Sequence, residues 1–179
     1  MVNRLRKKNF GFTLIELLIV MAVLGVLATV ALVIINPTER QAEARDTGRI
    51  SSVVQIGRAI SAYYTSKGEY PAEGTWAIDL VDGNELSTFP AGIEYSGSIT
   101  PCVTFPQPAD PNTFCYEEDQ LSGNGAIVFS KAESLRYRNK CTAPEEAYFV
   151  FSTADARGGT ICSSGDPSAW ASGTMSYVD

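Results

Sequence analysis

Three residue sets in this chain could do chemistry: its cysteines, its clustered carboxylates and one isolated glutamate. The chain holds no histidine. That removes Ser-His-Asp and Cys-His nucleophile systems and imidazole-based metal sites together. The four cysteines, Cys102, Cys115, Cys141 and Cys162, lie in the C-terminal half at spacings of 13, 26 and 21, with no C-x-x-C pair. A zinc site built from them lacks knuckle spacing. In a domain that leaves the cytosol, an even number of widely spaced cysteines reads as two disulfides. Three pairings are open, and the sequential one, Cys102–Cys115 and Cys141–Cys162, is preferred. Glu117, Glu118 and Asp119 cluster before a glycine turn, while "SGDPSAWASG" offers only Asp166. The EF-hand pattern for calcium is missing, so a solvated acidic turn is the default. The adjacent pairs Glu117–Glu118 and Glu145–Glu146 point to different sides of a strand, which makes neither a convincing pair for glycan cleavage. No enzyme activity, cofactor or metal is expected. The isolated glutamate is Glu16, inside an apolar run.

That run, "FTLIELLIVMAVLGVLATVALVII" from Phe12 to Ile35, has 24 residues and one charge. As a helix it would measure about 36 Å, enough to cross a hydrocarbon core of about 30 Å. Arg4, Arg6, Lys7 and Lys8 precede it, so the N-terminus stays cytoplasmic and the rest is exported. A secretory signal would be shorter and followed by a small-residue cleavage site, which is absent before Asn36-Pro37. Net charge is −6, but four of the 14 basic residues fall in the first eleven positions, leaving 10 bases against 20 acids beyond them. A body that acidic should repel nucleic acid. The one basic stretch, "KAESLRYRNK" with Lys131, Arg136, Arg138 and Lys140, reads as a solvated strand face.

After Thr38 the composition turns polar but helical spacing continues. Ile50, Val53, Val54, Gly57, Ile60 (or Ser61) and Tyr64 form a stripe, and Arg45, Asp46, Arg49, Gln55 and Arg58 largely occupy the rest of the surface. Gly68 and Pro71 end this helix near Lys67. Phe12–Lys67 is then one kinked rod on the order of 80 Å long. Its amphipathic half needs a domain to pack on. Glu69–Ser96 reads as loop with a helical turn near Trp76–Leu80. Short β-type runs follow: "ITPCVTF", "TFCYEE", "AIVFSK", "SLRYR", "AYFVFST", "TICSS" and "TMSYV", with "GNG" at 123–125 and "GG" at 158–159 as turn signals. The expected fold is α+β: a long N-terminal helix packed on an antiparallel sheet of about four strands, pinned by disulfides. Trp76, Trp170 and Tyr177 read as cover for a small core rather than as a partner site.

"GFTLIELL", with the lysines before it, resembles the class III signal of type IV pilins and type II secretion pseudopilins. "GEYP", Gly68–Pro71, resembles that family's helix-to-domain junction. The detailed likeness runs from Lys7 to about Pro71. It implies that residues 1–11 are a leader removed by a prepilin peptidase after Gly11, and that Phe12 becomes the N-methylated N-terminus. It implies a filament-core helix over 12–35, an amphipathic helix over 36–67 and a globular domain over 68–179. Glu16 matches the family's glutamate. Gly25 matches the glycine of a helix segment able to bend or unwind, whereas Pro37 lies four residues later than the family's usual proline and Val33 occupies that place.

Physics points the same way. A carboxylate at the centre of a membrane helix costs roughly 2.5–3.5 kcal/mol on insertion scales and calls for a partner, yet the span contains no basic residue. Cleavage would create a free amine at Phe12, and a neighbouring subunit's amine could pair with Glu16 in a low-dielectric bundle and set axial register. The leading expectation is a structural subunit of a type IV pilus-like surface filament, a homo-oligomer partnered by the prepilin peptidase/methyltransferase and the pilus assembly machinery. It would sit in the inner membrane by a single pass before assembly and on the cell surface afterwards. The alternatives are a pseudopilin of a type II secretion or DNA-uptake machine, and a permanently anchored exported binding domain.

Overall fold

The structure is a computed structural model that describes residues 11–102, 114–119, 125–168, 173 and 175–178. The chain divides into two compact units, the first ending at Arg40 and the second comprising Gln41–Asp179. In the first unit, helix α1 covers Leu14–Ile35 and is apolar on every face. Thr13 caps it, its hydroxyl accepting a hydrogen bond from the Glu16 N–H at 3.3 Å. The helix runs unbroken through Gly25, whose carbonyl accepts from the Thr29 hydroxyl at 2.9 Å. It stops at Asn36, which adopts the left-handed conformation with φ 44°. Asparagine tolerates that region better than the β-branched residues before it. Pro37 then starts helix α2, Pro37–Lys67, where its missing N–H is no loss. Gly68, at φ 82°, ends α2 with its N–H on the Tyr64 carbonyl at 2.8 Å.

In the second unit, α2 packs on a four-stranded antiparallel sheet in chain order: β1 Cys115–Glu118, β2 Ala126–Lys131, β3 Glu146–Ser152 and β4 Arg157–Ser163. Residues alternate between faces, as the period of two requires. Tyr116, Val128 and Phe151 meet Val53, Ile56 and Ile60 of α2, together with Trp76 and Leu80 of a short helix α3, Trp76–Asp82. Ile127, Phe129, Tyr148, Val150 and Ile161 form the opposite face, covered in part by Met175 and Tyr177. Two disulfides, Cys102–Cys115 and Cys141–Cys162, tie flanking segments to β1 and β4, and no cysteine is free.

Several expectations need correction. "SLRYR" is not a strand: Leu135–Arg138 forms the single-turn helix α4. Its apolar–charged alternation imitates a strand, but the available edge of β2 is already taken by β3. "GG" at 158–159 is not a turn. Both glycines lie in β4, and the chain reverses at 153–156, where Ala156 takes φ 53°. A side chain at Gly158 would press on Val54, and one at Gly159 would strike the Tyr177 ring, so close approach selects them. The helical turn near Trp76 extends to Asp82. Most consequentially, Asp46 and Arg49 are not on the solvent face of α2: both are fully buried. The buried stripe runs Ala42, Asp46, Arg49, Val53, Ile56, Gly57, Ile60, while Tyr64 is 41% exposed. The described part of "ITPCVTF" holds no strand, and "TMSYV" contributes an isolated bridge from Tyr177 to Ile161.

Candidate functional site

The residues expected to act in processing and assembly gather at the start of α1. Gly11 and Phe12 are exposed ahead of the Thr13 cap, Phe12 at 78%. Glu16 stands in the first helical turn, where a negative charge is also favoured by the helix dipole. Residues 1–10 of the expected leader 1–11 lie outside the described residues, so Gly11 is its one described member. Every side chain of α1 is exposed. A helix that is apolar all round must be covered by lipid or by other helices, because a monomer in water would leave it bare. Among the described residues it is the one segment long and apolar enough to cross a membrane.

A second cluster was not legible as a site. Arg49 lies at the centre of a buried ion network in the second unit. Its guanidinium donates to Asp46 at 2.8 Å and pairs with Glu133 at 3.0 Å. It also donates to the Ile93 and Glu94 carbonyls, each at 3.1 Å, and lies 3.8 Å from the centre of the Tyr95 ring. Asp46 accepts from the Glu133 and Ser134 backbone N–H groups at 3.0 and 2.8 Å. Glu133 takes a two-pronged contact from Arg45 at 2.6 and 2.9 Å and accepts the Ser96 N–H at 3.0 Å. Burial pushes the Glu133 carboxyl up, but Arg45, the Ser96 N–H and Arg49 outweigh it and hold it below the ordinary range. The network joins α2, the 93–96 loop and the β2–α4 junction. One sequence signal existed: Asp46 and Arg49 continue the stripe spacing of Ala42 and Val53. Their partner Glu133 is far along the chain and gives no local sign.

The other candidates resolve differently. Trp76 is core, stacked on Tyr116 at 5.2 Å and edge-on to Phe89 at 5.1 Å. Tyr177 donates to Asp155 at 3.0 Å, with Arg157 3.9 Å from its ring centre. Trp170 lies outside the described residues. Glu117 and Glu118 lie in β1, next to a cleft of about 780 Å³ lined by Tyr63, Tyr64, Tyr70, Asp79, Glu118 and Asp119 among others. Burial, with Glu73 and Asp166 nearby, pushes the Glu117 carboxyl up to about 7. No group of metal-ligating side chains forms among the described residues.

A family signature described as "Prokaryotic N-terminal methylation motif" matches residues 6–32, which include Gly11, Phe12 and Glu16. The chain is 39% identical over 80 residues to a fimbrial protein of Neisseria meningitidis serogroup A, covering 42% of each chain. It is 39% identical over 75 residues to the fimbrial protein EcpC of Eikenella corrodens, covering 41% of this chain and 46% of that one. It is 30% identical over 108 residues to the type II secretion system core protein G of Escherichia coli, covering 60% of this chain and 70% of that one. The match thus spans under half the length of the fimbrial relatives and more than two thirds of the secretion protein. No solved structure matches. With its N-terminal methylation motif, apolar helix and helix-on-sheet domain, the chain belongs to the type IV pilin and type II secretion pseudopilin family.

Proposed function

We propose that this chain is a structural subunit of a type IV pilus-like surface filament, cut after Gly11, methylated on Phe12 and polymerised through α1. The observation that carries the reading is α1 itself, a helix apolar on all sides with no cover of its own and a single carboxylate, Glu16, in its first turn. In the membrane, lipid covers it; in a filament, the same helices from other subunits do. The Phe12 amine of one subunit would pair with Glu16 of another and fix the axial stagger. The left-handed Asn36 ahead of Pro37 is where we place the bend of the rod, with Gly25 as a second weak point inside α1. Before assembly the chain is a single-pass inner-membrane protein; afterwards its domain faces the exterior.

A second reading, a pseudopilin of a secretion or DNA-uptake machine, is favoured by the wider coverage of the secretion relative. The two share the processing and packing steps and differ in filament length and place. The test is Glu16→Ala, compared with parent for membrane pool and sheared-filament yield. Insertion and leader cleavage should persist, because the change removes a costly buried charge and leaves the glycine junction intact. Filament yield should fall, since an unpaired buried amine costs about 3–5 kcal/mol. Glu16→Gln should be milder, because an amide still accepts a hydrogen bond. Parental yield from Glu16→Ala would end the proposed pairing.

A further inference from the structure

The second unit carries an acidic cleft and, elsewhere on its surface, a basic turn. The cleft lies where α2 terminates. Tyr63, Tyr64, Gly68, Glu69, Tyr70 and Ala72 line it, with Asp79 from α3 and Glu118–Asp119 at the end of β1. Its lining has four carboxylates and no base. The aromatic wall is preformed, with Tyr64 and Tyr70 stacked at 4.4 Å. The carboxylates crowd one another: burial and then Glu73 and Glu69 push Glu118 up. Burial and then Asp79 and Glu69 push the Tyr63 phenol up as well. A negative, aromatic-walled cleft suits a cation, attracted by both carboxylates and ring faces.

The basic turn is α4. Leu135–Lys140 reads Leu-Arg-Tyr-Arg-Asn-Lys, three cations and no acid. Leu135, Arg136, Arg138 and Lys140 are exposed, Leu135 at 49%. The turn is held rigidly. Asp46 accepts the Ser134 N–H, Tyr137 packs edge-on to Phe149 at 4.8 Å, and Cys141 is bonded to Cys162. Its anchor Asp46 and the cleft residue Tyr63 are separated by 17 helical residues of α2, roughly 25 Å along the axis. The acceptor and the donor therefore face different neighbours. One copy cannot close the contact on itself, and a contact of this head-to-tail kind propagates as an open helix unless its rotation closes a ring.

We propose that the α4 turn of one subunit docks in the Tyr64–Glu118 cleft of the next, with Arg138 reaching the carboxylates and Leu135 lying on the tyrosine wall. The occupant is a second copy because the chain supplies both complementary surfaces, acidic aromatic and basic apolar. This rests on the filament reading and adds a contact between globular domains to the one between α1 helices.

The test uses the full chain in its membrane. Arg138→Glu should lower sheared-filament yield on the order of tenfold, because like charges then meet in the cleft. A Glu69→Arg, Glu118→Arg pair should lower it similarly, and combining the three changes should restore yield toward parent. A photo-crosslinker at Leu135 should give a dimer whose linked peptide contains Tyr64–Tyr70. That crosslink does not require filaments, so it separates the two ideas. Crosslinked dimer without filaments keeps the docking and removes the filament reading. Filaments with neutral charge reversals and no Leu135 crosslink to this segment overturn the docking alone. A Leu135 crosslink to a different protein, or a restored yield absent in the triple variant, overturns it too.

Discussion

Asp46→Ala is the sharpest test of the domain's architecture. Asp46 is fully buried and accepts three donors: the Arg49 guanidinium and the backbone N–H groups of Glu133 and Ser134. Truncation leaves both N–H groups without a partner in a space too enclosed for ready hydration. Each orphaned donor costs about 1–3 kcal/mol. Arg49 keeps Glu133 at 3.0 Å and the two loop carbonyls, so its charge is not stranded and the penalty quoted for a broken buried pair does not add to the loss. The two orphaned donors together cost about 2–6 kcal/mol, a large share of the roughly 5–15 kcal/mol that holds a domain folded. The assay is denaturant unfolding of the full chain in detergent, followed through the fluorescence of buried Trp76 and fitted with a common slope. Asp46→Asn should recover part of the loss, since an amide oxygen accepts the N–H groups in a similar shape. A midpoint for Asp46→Ala equivalent to less than about 1 kcal/mol of destabilisation would refute the argument.

Other expectations concern separate parts of the chain. Gly57→Ala should destabilise by about 1–3 kcal/mol, because the added methyl strikes the Phe151 ring, and Phe151→Leu in the same chain should relieve part of it; an unchanged unfolding midpoint would contradict the packing. Glu117 holds its proton to about pH 7 when folded but releases it near its ordinary 4.5 when unfolded, so folding is most favoured at low pH and weakens as pH rises between those values. Glu117→Gln should flatten that slope and raise stability at pH 8, by about 1 kcal/mol after allowance for solvent screening of a half-exposed group, read as a higher Tm; a Tm gain only at pH 4 would have the wrong sign. Gly11→Val should block leader removal by putting a branched side chain at the proposed scissile junction; normal mature mass from that variant would move the junction elsewhere.

Helix α1 was legible because 24 residues with one charge admit few alternatives, and the end of α2 because Gly68 and Pro71 mark it. The strands β1 to β3 closely match β-type runs and β4 overlaps one in its second half, since alternating apolar residues on a sheet covered on both faces leave a strong pattern. What escaped the sequence depends on contacts distant in the chain. The fate of "LRYR" was decided by β3 occupying the edge of β2. Gly158 and Gly159 are strand residues because Val54 and Tyr177 crowd them, and glycine alone signals a turn as readily as a tight contact. Asp46 and Arg49 looked solvated because charged residues usually are; only Glu133, the 93–96 loop and the β2–α4 backbone make their burial affordable. At the candidate site, Gly11, Phe12 and Glu16 stood out by motif, whereas the cleft is built by α2, α3 and β1 together and has no local sign in the sequence.

Intact-mass measurement on subunits from sheared surface filaments tests the central claim most directly. The account predicts this chain as a constituent, starting at Phe12, heavier than the unmodified polypeptide from Phe12 onward by one CH2, a methyl replacing an amine hydrogen, and lighter by four hydrogens for the two disulfides. Filaments that lack the chain, or a chain found only in the membrane with residues 1–11 retained, would contradict it.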